Sequence, residues 1–415
     1  MVMLLSLAFS KIWAQDTLSV TLPEAERLFS QRNLALLAEK YNIEIAKAQV
    51  IQSRLYPNPN FQFTGNIYNP EQNKKFDLSN NTGEYIIGAQ QLILLAGKHN
   101  KQVKLAETNE TLSENRFYDL LRTLSHTLRS DFYQAYYTYS SITAYQVQIE
   151  SMEKLNASFE QLLAKGVVTL KDAVRIKSLL YSLKAEKTSL ENQFNDTEAE
   201  IQLLLNNNHS VYIPVSTPPG TTWASLSNFN LQTLTDSALA NRYDLKLAQN
   251  TLLYNRQNYA LQKAIATPDL ILGAQFDKRG SFVQNASFFT AAIDLPFLNR
   301  NQGNIKSAKI SIDQAKTLMN EQIQTVVNEV QHAYINAANT EKMLLSIDPN
   351  FRNQFELLLK SVTQNFEKRN ISLLEFTDFY DTYKQNVLQL NQLQNARMQA
   401  IENLNYAIGK TLINY

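Results

Sequence analysis

The 415-residue chain contains no cysteine, which excludes disulfides, thiolate metal sites, thiol catalysis and a lipid-anchor cysteine near the start. Glycine and proline number only ten each, leaving few turns and favouring long helices. A surplus of charge is missing as well. The formal net charge is +1, so no electrostatic pull toward nucleic acid or an acidic surface is expected. There is no glycine-rich phosphate loop and no nucleophile motif of the G-x-S-x-G kind. His99, His126, His209 and His332 are too scattered to share ligand spacing. Nothing in the sequence points to an enzyme, a cofactor or a metal centre. After the first residues, no stretch approaches the roughly 20 continuous apolar residues of a membrane helix. A membrane crossing by this chain would have to use strands.

The start, "MVMLLSLAFSKIWAQ", has an apolar run and a small residue at a plausible cleavage point. It is expected to be a secretory signal over residues 1–14 whose basic n-region is missing. Beyond it the second half re-runs the first. "RNLALLAEKYN" (Arg32–Asn42) matches "RYDLKLAQNTL" (Arg242–Leu252), and "YPNPNFQFTGN" (Tyr56–Asn66) matches "ATPDLILGAQF" (Ala266–Phe276). "DFYQAYY" (Asp131–Tyr137) matches "EVQHAYI" (Glu329–Ile335), and "AKGVVTLKDAV" (Ala164–Val174) matches "EKRNISLLEFT" (Glu367–Thr377). The order and offset are kept throughout, so a duplicated unit is expected over 15–208 and 230–415. Residues 209–229, rich in proline, read as a linker or small irregular region.

Each unit opens with a helix of moderate length, which Pro57 and Pro59 stop in the first. Two strands follow, over 61–68 and 84–94 in the first unit and 270–277 and 288–298 in the second. Leu270, Leu272, Ala274 and Phe276 share one face, and Phe289, Ala291 and Ile293 alternate in the same way. That period of two marks strands wetted on one side. Next comes a long helix. No proline or glycine interrupts Asn100–Ala164, whose Leu121, Leu128, Ala135, Ile142 and Ile149 keep a seven-residue register. At 1.5 Å per residue it would be a rod of roughly 95 Å. A polar turn at 165–172 leads to a return helix, and the second unit does likewise through 367–375, with a break expected at Asp348-Pro349. The Tyr-rich "DFYQAYYTY" reads as packing between helices. Rods of that length with two strands at one end cannot share one globular core. Four strands are too few to close a barrel, whereas three copies would supply twelve.

Each turn ends in a carboxylate, Asp172 and Glu375, and Asp378 follows one turn later on the same face. On the residues alone, these acids cap the first turn of a helix, where its dipole favours negative charge.

In this order of elements the sequence resembles the TolC family of outer-membrane efflux channels, nearer its CusC and CzcC branch. The marks are "YPNPNF", "PDL" and "DLPFLNRNQGNIKSAK" (Asp294–Lys309), together with the two turns. The resemblance implies a mainly α fold with a small transmembrane β part: a homotrimer with one 12-stranded barrel continuing into a coiled-coil tunnel. It implies a passive exit duct in the outer membrane with a long periplasmic extension, exporting metal cations or small toxic molecules. Its partners would be a periplasmic adaptor, an inner-membrane transporter of the RND or ABC type, and outer-membrane lipid. By motif, Asp172, Glu375 and Asp378 fall at the acidic positions of the periplasmic constriction, and Phe366 stands where a tyrosine is common. Leu270, Leu272, Phe276, Phe289 and Ile293 would face lipid. Gly166 keeps the first turn's glycine, Arg369 replaces the second, and Ile371 stands where some members have arginine. The alternative is a periplasmic or secreted coiled-coil structural protein.

Overall fold

The computed structural model describes residues 16–207, 210–214, 226, 229–279, 283–348 and 350–411. The expected signal over 1–14, His209 and Pro349 lie outside them. The described chain is mainly helical. Its order is β1 (Asp16–Val20), α1 (Leu22–Arg32), α2 (Leu34–Ser53), β2 (Asn60–Gly65), β3 (Tyr68–Asn69), β4 (Lys74–Lys75), β5 (Tyr85–Ile93), α3 (Lys98–Ala164) and α4 (Leu170–Leu205). There follow β6 (Ser210–Pro214), α5 (Leu231–Asn241), α6 (Tyr243–Ile265), β7 (Leu270–Arg279), β8 (Gln284–Ile293), α7 (Gln302–Leu345), α8 (Phe351–Glu367) and α9 (Leu373–Ile408). No described helix is long and apolar enough to cross a membrane.

Several boundaries differ from the sequence reading. The opening helix of each half is two helices. They part at Asn33 and at Arg242, both with extended backbone. Each break is tied down by a buried polar side chain. Asn33 Nδ2 donates to Leu204 O at 2.9 Å while its Oδ1 accepts from Leu36 N at 3.0 Å. Arg242, 2% exposed, pairs with Glu329 at 2.5 Å and donates to Ala407 O at 3.2 Å. β8 begins at Gln284 and stops at Ile293, so Leu295 and Phe297 lie beyond the strand although the alternation continues through them, and so does Leu298. The span read as a linker contains β6, which pairs in parallel with β1, Leu18 opposite Tyr212. Neither strand shows a period long enough to be read alone. The expected break in the second long helix lies between Leu345 and Phe351, with Asn350 as the N-cap residue.

The chain forms two compact units. One comprises residues up to Leu37, Asp119–Arg242 and Thr325 onward; the other comprises Ala38–Tyr118 and Tyr243–Gln324. The first unit buries Leu128, Phe132, Ile176, Leu183, Leu205, Val330, Ile401 and Ile408, the apolar positions of α3, α4, α7 and α9. Part of the seam between α3 and α9 is polar. His126 meets Asn403 at 2.7 Å, Asn395 Nδ2 donates to Gln134 Oε1 at 2.6 Å, and Asn391 Nδ2 donates to Ser141 Oγ at 3.0 Å. Such pairs are directional and fix how the two helices match along their length.

The second unit holds one four-stranded antiparallel sheet, ordered β2-β5-β7-β8. Its helices follow the same logic. Asn109 Nδ2 of α3 reaches Gln49 of α2 (3.4 Å), Thr108 Oγ1 of α3 donates to Gln257 of α6 (2.7 Å), and Gln322 of α7 donates to Asp244 of α6 (2.9 Å). The helices therefore run in the order α2-α3-α6-α7. Sheet and helix row end in the same chain segments, α2 with β2 on one side and β8 with α7 on the other. The α2 end shows Tyr41, Ile45 and Ile51 to solvent, and the α7 end shows Ile310 and Leu318.

In the first unit, Glu402 of α9 is 2% exposed, with the guanidinium of Arg129 3.6 Å away. Arg129 also donates to Glu26 Oε1 at 2.5 Å. Burial, with a smaller push from Glu26 and opposed by Arg129, raises the Glu402 carboxyl from 4.5 to about 7. Between those two values the folded state keeps a proton that the unfolded chain releases, so stability rises as pH falls across that window. The slope is of order 1 kcal/mol per pH unit. Glu402→Gln should flatten the rise between pH 7 and pH 5 in urea unfolding followed by helical circular dichroism. An unchanged slope would remove Glu402 as its source.

Candidate functional site

The two long hairpins of the first unit reverse by the same chemistry. After α3, Gly166 adopts φ +68°, Gly166 N donates to Leu163 O and Val167 N donates to Leu162 O, both at 2.9 Å. After α8, Arg369 adopts φ +62°, Arg369 N donates to Phe366 O at 2.9 Å and Asn370 N donates to Asn365 O at 2.8 Å. Both are Schellman ends, in which a left-handed residue lets the last carbonyls find partners. Only the first carries the residue that suits it.

The following helix is then capped from outside. Thr169 Oγ1 donates to Asp172 Oδ2 at 2.7 Å and accepts from Asp172 N at 3.2 Å. Ser372 N and Oγ both lie 2.8 Å from Glu375 Oε2, and Glu375 N donates back to Ser372 Oγ at 3.2 Å. The second is a full capping box, the S-x-x-E pattern legible in the sequence. The hydrogen bonds from Ser372, backbone first, hold the exposed Glu375 carboxyl below its usual range. Asp172 and Glu375 are thus helix caps by geometry. Glu375 and Asp378 both stay exposed, one turn apart on α9, while Asp172 is half-buried.

Phe366 is placed differently from the carboxylates. It is 8% exposed, stacked on Phe376 (centroids 4.3 Å apart) and on Phe159 (5.8 Å). Phe376 in turn meets Tyr380 at 5.7 Å. Its ring is therefore committed to the core that joins α3, α4, α8 and α9, together with Met152, Ile176 and Leu183. Ile371, one residue before the cap, packs against the same cluster. Above it opens a cleft of about 650 Å³ whose rim carries Lys154, Asp172, Glu367 and Arg369. Sequence reading also missed a node behind the turns. Tyr145 OH donates to Glu186 at 2.6 Å and Lys384 Nζ donates to it at 3.0 Å, tying α3, α4 and α9 together. The three residues lie 41 and 198 positions apart, so no local pattern announces them.

The sheet supplies the other candidate surface. Leu270 lies opposite Ile293, Leu272 opposite Ala291, Ala274 opposite Phe289. On the other side, Leu270 faces Ile93, Ala274 faces Ala89 and Phe276 faces Ile87. Directly opposed residues point to the same face. The register thus gathers Leu270, Leu272, Phe276, Phe289 and Ile293 on one apolar face, and pairing with β2 adds Phe61 and Phe63. The opposite face carries Asn60, Gln62, Thr64, Gln90, Gln275, Asp277 and Thr290, interspersed with Ile86, Leu92, Ile271 and Phe288. On the apolar face Phe289 is 75% exposed and Phe61 70% exposed.

Among the histidines, His99 stacks on Tyr56 at 4.1 Å and His126 is bound to Asn403. No group of three or more His, Asp or Glu among the described residues could hold a metal ion.

The family model for "Outer membrane efflux protein" matches residues 27–207 and again 234–410. No curated protein sequence matches the chain. Among solved structures, a membrane protein from Pseudomonas aeruginosa is similar at 19% identity and TM-score 0.76, covering 96% of this chain and 94% of its own. The CmeC outer membrane channel of Campylobacter jejuni is similar at 14% identity and TM-score 0.77, covering 94% and 86%. CusC, described as forming a transmembrane channel, is similar at 16% identity and TM-score 0.73, covering 96% and 94%.

If the left-handed turns govern the reversals, Gly166→Ala should destabilise by about 1 kcal/mol. No atom lies within 4 Å of a methyl added there, so the loss is backbone strain alone. Arg369→Gly should stabilise by up to ~1 kcal/mol. Urea midpoints for the two variants measure this, and equal midpoints for both would contradict it.

Proposed function

Because the chain belongs to the outer membrane efflux protein family and resides in the outer membrane, we propose that three copies close head to tail into a passive exit duct. The observation that carries this reading is the pair of matching open edges. β2 and β8 each present an unpaired row of backbone N–H and C=O groups, and α2 and α7 flank them with exposed apolar residues. Joining the β2–α2 edge of one copy to the β8–α7 edge of the next is a heterologous contact, which makes a ring when the rotation closes. Three copies of a four-stranded sheet give a twelve-stranded barrel, wider than the eight-stranded barrels whose interiors side chains fill. The apolar face, with Leu270, Leu272, Phe276, Phe289 and Ile293, turns to lipid, and the amide-rich face turns to the lumen. The two successive matches of one family model support descent of 15–208 and 230–415 from a duplicated unit.

In this reading the helix turns form the periplasmic end of the duct. The exposed Glu375 and Asp378, with Asp172 nearby, become rings of carboxylates in a trimer and favour cations. Phe366 contributes by holding the turn's core. Transport energy comes from an inner-membrane transporter of the RND or ABC type, coupled through a periplasmic adaptor. The cargo is metal cations or small toxic molecules delivered by that pump.

An arginine near the bilayer midplane costs about 2–4 kcal/mol, so Leu272→Arg and Phe289→Arg should each deplete trimer from detergent extracts of outer membranes. Wild-type amounts of trimer in both variants would sink the barrel assignment. Removing both carboxylates, Glu375→Ala with Asp378→Ala, should lower the cation-over-anion permeability ratio in planar-bilayer recordings. An unchanged ratio would take them out of the constriction.

A further inference from the structure

Residues 66–84 join β2 to β5 and carry the short pair β3–β4. This loop is built rather than slack. Buried Asp77 accepts from Thr82 Oγ1 at 2.5 Å and from Ser79 N at 3.0 Å. Phe76 N donates to Ile67 O at 3.0 Å, and Tyr68 OH donates to Asn73 Oδ1 at 3.0 Å. On that frame stand Ile67, Phe76 and Leu78, which are 68%, 70% and 54% exposed. Phe76 also has φ +48°, a conformation that costs a bulky side chain strain. Strain that ends in a phenyl ring facing water is unfavourable twice over in the isolated chain. Exposed apolar groups on a fixed frame mark a surface that meets something.

What it meets follows from where the frame leans. Gly65 lies on the apolar face of the sheet with Phe61 and Phe63, and a methyl placed there would come within 3.9 Å of Leu78 Cδ2. Leu78 therefore continues the apolar face, at the end where Phe63, Tyr85 and Phe276 succeed one another at centroid spacings of 6.3 Å. Exposed Lys74 and Lys75 form β4, four and three residues before Leu78, with Lys74 Nζ donating to Thr82 Oγ1 at 3.4 Å. The loop's ties run over its own sheet. Arg279 of β7 donates to Thr82 O at 3.3 Å and lies 3.8 Å from Glu71. Those ties draw it away from the β2 edge, where a second copy would pair.

We propose that residues 66–84 form a membrane-surface foot, with Ile67, Phe76 and Leu78 entering the headgroup boundary of the bilayer and Lys74 and Lys75 meeting lipid phosphates. This rests on the barrel reading above. Aromatic and aliphatic groups followed by lysines are the order of chemistry that a lipid interface takes up. The foot would fix the depth of the barrel and add contact outside the strands.

The test uses full-length trimer in vesicles of phosphatidylcholine and phosphatidylglycerol, with both native tryptophans removed (Trp13→Phe, Trp223→Phe). Phe76→Trp or Phe289→Trp is then the single fluorophore. Lipids brominated near the headgroup should quench the Phe76→Trp variant to an extent comparable with the Phe289→Trp variant, and acrylamide in the water should quench it weakly. Lys74→Gln with Lys75→Gln should reduce the lipid quenching in mixed vesicles but not in pure phosphatidylcholine. Strong acrylamide quenching with no effect of bromine overturns the foot, and so does shielding from both, which would place a second copy there. Quenching of the Phe289→Trp variant alone leaves the barrel standing without the foot. Absence of lipid quenching in both variants overturns the barrel reading as well.

Discussion

Backbone hydrogen bonding along β2 and β8 is the constraint on which the rest of this structure turns. A strand edge within a bilayer has no water to satisfy its N–H and C=O groups, and each group left unpaired costs several kcal/mol. In the proposed barrel, the four strands of the main sheet cannot meet that demand within one chain. The helix row repeats the predicament in side-chain terms, since α2 and α7 end it with apolar residues in solvent. Long helices with few glycines and prolines, and strands with one predominantly apolar face, suit this arrangement.

The helix reversals show how closely two halves of unlike sequence can obey one geometry. Gly166 and Arg369 share a left-handed φ, Thr169 and Ser372 share the cap, and Asp172 and Glu375 share the N3 position. The same carboxylates that satisfy helix N-termini remain at the surface of the turn, so capping and a role toward ions are not exclusive. The aromatic stack beneath them, Phe159 on Phe366 on Phe376, keeps the two turns in one cluster. The node of Tyr145, Glu186 and Lys384 holds the helices behind it.

Much of this was open to reading in one dimension. The long helix was expected from about Asn100 and begins at Lys98, because a run without proline or glycine and with a seven-residue apolar period has few alternatives. β7 was read from alternation, which reports directly on which face each side chain takes. Alternation said less about where a strand ends. Past Ile293 it continues through Leu295 and Phe297, but no partner strand extends there, and pairing rather than pattern defines a strand. β1 and β6 escaped notice because five residues each, paired across nearly two hundred positions, leave no local trace. The motif puts Phe366 at the pore, whereas its ring lies in the core, because position in a motif says nothing about which way a ring turns.

By itself, then, the sequence determined the long helices, the repeated order of the main elements, the positions of both reversals and the alternation of β7. Each of these follows from interactions within a few residues: propensity, capping, alternation and the lack of breakers. The tertiary structure decided which faces of β2, β5, β7 and β8 coincide, which polar residues meet across α3 and α9, and that sheet and helix row stop at the same two edges. Those outcomes depend on hydrogen-bond register and packing between residues distant in the chain, and no spacing within the sequence encodes a distance across it.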